Sequence, residues 1–424
     1  MTITIHRGIN QIGGCITEIA SASGHKILID LGHNLPEGDA QAYDPLEKAE
    51  NIDPILEGVE AVFYTHSHGD HIGFEAHVAE KGIKQYIGVL AKEIMIAHRQ
   101  HMTHAPALKD EAERSLAAIN KFIPYHITKS VSIGDIRVTP YKVNHSACDA
   151  YMFVIDCDGR RILHTGDFRT HGYLGDRLEL VLKNYIRNID VLITEGTMLS
   201  LNRKVMMTEK MLMEEAVQIM RQYDNVFVLC SSQDADRLAS FNIASCRLRR
   251  PMVVDGYQHR ILRIMEQHLS RYQCYHYEQK RNYYEEEKNV PRWIANRGIT
   301  MMIRATDTFS RIINFLKPYL DFDHTCLIYS MFEGYIDENR NTFQRGLYDF
   351  IHSYDWHIEN LHTSGHASRE ALAMVCNKVN PRLAIIPIHR EAESDFRSLN
   401  IPQELKDKVQ TQSTTIEDVK IVIK

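Results

Sequence analysis

The segment His66-Ser67-His68-Gly69-Asp70-His71, set one residue after the apolar run Ala61-Val62-Phe63-Tyr64, constrains this chain more than any other stretch. Four groups able to ligate a metal fall within six residues. A short apolar run ending on such a cluster reads as a buried strand that opens into a functional turn. Imidazole and carboxylate together suit zinc, manganese or iron. Alternate residues of an extended segment point the same way, so His66 and His68 can serve one ion. Asp70 and His71, on the turn into the next helix, can face a second. A solvated histidine-rich turn is the plainer reading; spacing, residue type and strand-end position together weigh against it.

The chain around this turn alternates short β-branched runs with polar turns. Strands are expected at 26–30, 61–65, 136–143, 161–165 and 191–194, with helices near 74–80 and 92–101. Asp30, His66, His145 and Asp167 stand at or just after the ends of such runs. From 199 to 356 the rhythm changes to strand-then-helix, with strands at 226–230, 252–255, 300–304 and 325–329, the pattern of a small parallel α/β domain. The first style returns over 357–424, with a helix near 370–377 and a strand at 382–388 leading to His389. The simplest organisation is one domain, 1–198 and 357–424, interrupted by a second at 199–356. His145, Asp167 and His389 are each, alone, more ordinary as capping or hydrogen-bonding residues; with the hexad they complete two coordination shells. His98, His101 and His104, at a spacing of three, lack a carboxylate and are read as an exposed polar face.

The set Asp30, His66-x-His68-x-Asp70-His71, His145, Asp167 and His389 resembles the motif series of the metallo-β-lactamase superfamily over nearly the whole chain. That resemblance implies an αββα sandwich and two divalent ions, zinc first and manganese second. It implies that His66, His68 and His145 hold one ion, that Asp70, His71 and His389 hold the other, that Asp167 bridges them, and that Asp30 braces the site. Glu195 in Ile-Thr-Glu-Gly-Thr, just before the inserted region, and His366 in Leu-His-Thr-Ser-Gly-His, just after it, are similar to motifs of the β-CASP nucleases. His362-Thr363-Ser364-Gly365-His366 and Pro387-Ile388-His389 look most like RNase J, which differs in having Gly-Glu where this chain has Arg390-Glu391. The implied activity is two-metal cleavage of single-stranded RNA, with Asp70, Asp167, Glu195 and His366 as the catalytic set and Ser330, Ser364 and His366 near the phosphate. DNA is the alternative polymer, and a small-molecule ester, lactone or thioester the alternative substrate class. In the plainer readings, the turn at His366 only enters a helix and Glu195 only pairs with Arg169.

Composition narrows the rest. With 44% hydrophobic and 25% charged residues, a chain of 424 residues can bury a large core. Its eight cysteines are scattered with no C-x-x-C pair, so they read as reduced, buried thiols of a cytoplasmic protein. No apolar run approaches the ~20 residues of a membrane span, and no signal peptide opens the chain. The net charge of −6 gives no general attraction for nucleic acid. Residues 247–304, however, carry 12 Lys/Arg against 6 Asp/Glu, with Tyr272, Tyr275, Tyr277, Tyr283, Tyr284 and Trp293 among them. Basic side chains with aromatic platforms suit a single strand, although packing and solubility account for such residues more often.

Overall fold

The computed structural model of the chain describes residues 1–35, 48–200 and 206–424. Among the described residues the strands form three sheets. In the first, Thr414–Ile416, Val419–Ile423, Thr2–Arg7, Ile16–Ala20, Lys26–Ile29, Ala61–Phe63, Lys84–Gly88 and Ile123–Tyr125 lie side by side in that order. The second runs Ala384–Ile388, Val191–Glu195, Arg160–His164, Ala150–Cys157, Ile136–Val143 and Val131–Ile133. The two stack face to face, with Ile5, Ile27 and Phe63 of one meeting Phe153, Ile162 and Ile193 of the other in one buried cluster. Glu75–Glu80, Val89–Met102 and Lys109–Asn120 cover the outer face of the first sheet. Arg177–Tyr185 and Arg369–Val379 cover that of the second. The result is the αββα sandwich expected from the sequence. Helices on the outside explain why a central strand such as Val191–Glu195 is buried at every position and reads as a continuous run rather than an alternation.

Val191–Glu195 and Ala384–Ile388 are parallel neighbours, with Val191 opposite Ala384 and Glu195 opposite Ile388. Everything that builds the third sheet is therefore an excursion between two adjacent strands. That sheet runs Lys280–Asn282, Met252–Val254, Thr300–Ile303, Asn225–Leu229, Thr325–Tyr329 and His357–Asn360, parallel at every pairing. Glu209–Arg221, Ala235–Arg247 and Gly256–Leu269 pack on one face; Val290–Asn296, Asp307–Leu316 and Arg345–Ile351 pack on the other. The strand His357–Asn360 lies beyond residue 356, where the sequence placed the return to the first domain. It is an edge strand, largely exposed, and His-Ile-Glu-Asn carries no apolar run to betray it.

Of the three histidines read as an exposed polar face, His101 and His104 are exposed but His98 is half-buried: its Nδ1 lies 3.0 Å from the Tyr257 hydroxyl, and His101 stacks on that same ring at 4.5 Å, so the pair bridges the two domains. Among the described residues neither joins a group suited to a metal. The aromatic residues of 247–304 are mostly core. Tyr275, Tyr277 and Tyr283 are buried, and the Tyr275 and Tyr277 hydroxyls are bonded to Asp236 and to the Ala235 carbonyl. Trp293 packs against the same domain's core. Tyrosines on half-buried segments bury the ring and bond the hydroxyl, and composition alone does not separate that use from a platform. All eight cysteines are free, six of them buried. Among the described residues, no helix is long and apolar enough to cross a membrane.

Candidate metal centre

Ile136–Val143, Arg160–His164, Val191–Glu195 and Ala384–Ile388 run in the same direction. Their carboxyl ends therefore deliver His145, Asp167, Glu195 and His389 to one edge of the second sheet. Lys26–Ile29 and Ala61–Phe63 are parallel neighbours in the first sheet and deliver Asp30 and the hexad. The hexad turn lies against the 30–33 segment. Leu31 N–H donates to the His71 carbonyl at 2.8 Å and His33 N–H to the Gly69 carbonyl at 3.0 Å. The approach is close enough that a Cβ on Gly32 would land on the Asp70 carbonyl, so this position demands glycine.

The histidines are aimed by what holds their far nitrogens. Asp30, at φ 61°, accepts from the Thr65 N–H at 2.7 Å, from its hydroxyl at 2.8 Å and from His71 Nδ1 at 2.7 Å. With its own proton committed to Asp30, Thr65 Oγ1 accepts from His66 Nδ1 at 3.0 Å. His145 Nδ1 donates to the Gly365 carbonyl at 2.7 Å, and His389 Nδ1 to Thr197 Oγ1 at 2.7 Å. All four rings thus turn Nε2 into the same small space. His145 Nε2 is 3.2 Å from His68 Nδ1. His71 and His389 Nε2 are 3.2 and 3.5 Å from Asp167 Oδ2, and His389 Nε2 is 3.1 Å from Asp70 Oδ2.

This arrangement fits divalent ions. Nε2 of His66 is buried without a hydrogen-bond partner, a costly state for a polar atom unless a ligand completes it. His66, His68 and His145 present nitrogens within 4.8 Å of one another, as do the donor atoms of His66, His71 and Asp167. Burial, reinforced by the neighbouring rings, pushes the His66 and His145 imidazoles well down, which keeps them in the neutral form a metal requires. At His71 burial is overridden by Asp167, Asp30 and Asp70, which hold the ring protonated; a bound cation would replace that proton. Asp70 and Asp167 remain ionised despite burial because His71 and His389 face them.

Glu195 is the last residue of its strand and is buried. One oxygen accepts from the Phe168 N–H at 2.9 Å and the Ala367 N–H at 3.2 Å; the other lies 3.2 Å from His366 Nδ1. It is not the partner of Arg169, and with both oxygens engaged it orients His366 rather than reaching a substrate. Burial lowers the affinity of His366 for its proton, but Glu195 and Asp167 outweigh it and hold the imidazole up at about 9. The His366 side chain is 21% exposed, against 0–2% for His71, His145 and His389, so with the half-buried His68 it faces the open side of the centre. Ser364, two residues earlier, accepts the His366 N–H at 3.1 Å through its hydroxyl. Ser330 does not line the site: its buried hydroxyl donates to the Leu361 carbonyl at 2.5 Å and accepts from Arg237 at 2.7 Å. A serine at a strand end reads the same in sequence whether it binds a ligand or ties down a loop. Sequence reasoning also missed Thr65, Thr197 and Gly32, of which only the closeness of Thr65 to the hexad and of Thr197 to Glu195 gave a hint.

Comparison with known proteins agrees with this geometry. Residues 25–230 match the β-lactamase superfamily domain, and residues 356–398 match the RNA specificity domain of zinc-dependent metallo-hydrolases. The second match spans Ser364, His366 and His389. Ribonuclease J of Mycoplasma pneumoniae is 26% identical over 177 residues, 40% of this chain and 29% of that protein. Ribonuclease J of Mycobacterium tuberculosis is 27% identical over 170 residues, 40% of this chain and 28% of that protein. The transcription termination factor FttA of Methanothermobacter thermautotrophicus is 24% identical over 204 residues, 46% of this chain and 31% of that protein. The alignments thus span less than a third of the length of these relatives. A crystal structure of a protein of unknown function from Enterococcus faecalis superposes with a TM-score of 0.67 at 18% identity, covering 94% of this chain and 96% of that one, which is likeness of fold. Strand-end histidines and aspartates at one edge of an αββα sandwich, an inserted parallel α/β domain and these matches place the chain in the metallo-β-lactamase superfamily, in its β-CASP, RNase J-like branch.

Proposed function

We propose that this chain is a dinuclear, zinc-dependent phosphodiesterase that cleaves single-stranded RNA. The observation that carries the reading is the convergence of His366 on the metal centre: its Nδ1 lies 3.2 Å from Glu195 and 3.6 Å from Asp167, although the whole inserted domain separates the strands involved. Hydrolysis of a lactone or thioester gives such an arm no task. The match of residues 356–398 to an RNA specificity domain, and relatives named ribonuclease J, support RNA as the polymer.

In this reading His66, His68 and His145 would hold one ion and Asp70, His71 and His389 the other, with Asp167 available to both. Bound divalent ions supply Lewis-acid polarisation of a phosphate and a nucleophile at neutral pH. The chain's own part is orientation and proton transfer. Asp30, Thr65, Gly365 and Thr197 fix the ring tautomers, so the site is built before substrate arrives. His366, held protonated, donates to the departing oxygen, and Glu195 keeps its ring turned to that task. The Ser364 hydroxyl, whose proton meets the Met198 sulfur at 3.2 Å, can turn instead to a phosphate oxygen. Free thiols and an RNA substrate fit a cytoplasmic setting.

The test is to incubate metal-loaded protein with single-stranded RNA labelled at its 3′ end and bearing a 5′-monophosphate. A 5′-hydroxyl copy, a matched DNA and the Asp167→Asn variant run alongside. RNA shortened by the wild type and untouched by the variant is expected. Inert RNA and DNA, with turnover of a lactone or thioester, would overturn the reading.

A further inference from the structure

We infer that Cys15 supplies a thiolate to the second metal position, beside His71 and His389, and thereby makes that position selective for zinc over manganese; the inference rests on the metal-site reading above. A buried cysteine is ordinarily a small hydrophobe, and Cys15 does border the core between the two sheets. Its sulfur, however, lies within 4.8 Å of donor nitrogens of both His71 and His389, all three residues being buried. Among the described residues, no other cysteine joins a group of this kind. Zinc sits ~2.0–2.1 Å from an imidazole nitrogen and ~2.3 Å from a thiolate. Donors sharing one tetrahedral ion stand ~3.4–3.6 Å apart, so closing on it takes a shift of at most about an ångström, within reach of side-chain rotation.

Independent features point the same way. His71 Nε2 is buried and makes no well-aligned hydrogen bond, the Asp167 carboxylate lying 3.2 Å away. The Cys15 backbone belongs to the seam that docks the hexad: its N–H donates to the Asp70 carbonyl at 3.1 Å and its carbonyl accepts from the Gly32 N–H at 3.3 Å. Gly8, at φ +105°, leaves room for the thiol, since a Cβ there would lie 3.1 Å from the sulfur. Thiolate is a soft donor that favours zinc, whereas manganese prefers oxygen ligands. Cys15 would join Asp70, His71, His389 and the shared Asp167 in the donor set of that position.

Cobalt(II) in place of zinc separates the two levels of the argument. Loading metal-free wild type should produce visible d–d bands from the histidine and aspartate set, together with a near-ultraviolet thiolate-to-cobalt charge-transfer band. Cys15→Ser should keep the first and lose the second. Its zinc affinity should fall roughly tenfold or more while its manganese affinity stays unchanged; equal losses for both metals overturn the selectivity. Visible bands without the charge-transfer band in wild type overturn the role of Cys15 and leave the metal centre standing. No bands at all overturn the metal reading itself. Should Cys15→Ser fail to fold, X-ray absorption of zinc-loaded wild type decides: a sulfur shell at ~2.3 Å supports the thiolate, and a shell of nitrogen and oxygen alone overturns it.

Discussion

An imidazole ligand must offer one nitrogen lone pair, and this protein selects which by giving the other nitrogen an acceptor. Asp30 shows the device most clearly, because a single carboxylate fixes Thr65 and, directly or through it, both His71 and His66. Asp30→Asn isolates the charge, since asparagine is similar in size and tolerates the left-handed backbone at φ 61°. It should cost about 10–100-fold in metal affinity with the far-ultraviolet spectrum preserved, measured by competition with a chelator; undiminished affinity would make Asp30 a bystander. His366 gives a pH-dependent counterpart in the metal-free protein. Its imidazole rises from 6.5 to about 9 because Glu195 and Asp167 outweigh burial. A raised folded-state pKa contributes stability that is complete below the unfolded value of 6.5 and is lost as pH climbs through about 9. Nuclear magnetic resonance should find the His366 midpoint near 9, and Glu195→Gln should lower it and flatten the stability loss over that window. A His366 midpoint near 6.5 in the unmodified chain would remove the basis for its role as proton donor.

Strand ends were legible and their partners were not, for a physical reason. An apolar run that stops on His66, Asp167 or His389 is a local signal, as is the change from sandwich strands to strand-helix units near residue 199. Which side chain meets which across the sheets depends on register over long separations, so nothing in Asp-Phe-Arg says that Arg169 ignores Glu195. Its guanidinium is instead fully buried, 2.9 Å from Asp234 and Asp236 at the start of the inserted-domain helix Ala235–Arg247, and 2.9 Å from Asn144 beside His145. The same blindness left Tyr275, Tyr277 and Tyr283 undecided between core and platform and put Ser330 in the phosphate pocket. Arg169→Met tests the buried knot. With Asp234, Asp236 and Glu209 left facing each other out of water, the loss should be about 3–5 kcal/mol, seen as a lower urea midpoint. A change within about 1 kcal/mol, the range of exposed pairs, would mean that water enters the cleft and the domains are held by apolar packing alone.

On the scale of the whole molecule, the insertion makes the centre a meeting point of distant chain segments. The hexad comes from one sheet and His145, Asp167 and His389 from the other, while His366 arrives on the return from the inserted domain. Without ions this convergence brings buried Asp30 and Asp167 together with half-buried Asp70, and protonated His71 and His366 are what oppose them. Cations bound between the two sheets should therefore stabilise the sandwich as well as activate it. Mass action sets the scale, since free metal at a hundred times its dissociation constant stabilises by about 2.7 kcal/mol. Exhaustive chelation should abolish RNA cleavage and lower the melting temperature together, and zinc should restore both in parallel. Were chelation to stop cleavage without moving the melting temperature, the two halves of the centre would already be locked by Asp30, Thr65 and Thr197. The ions would then be passengers in a site that the chain holds shut by itself.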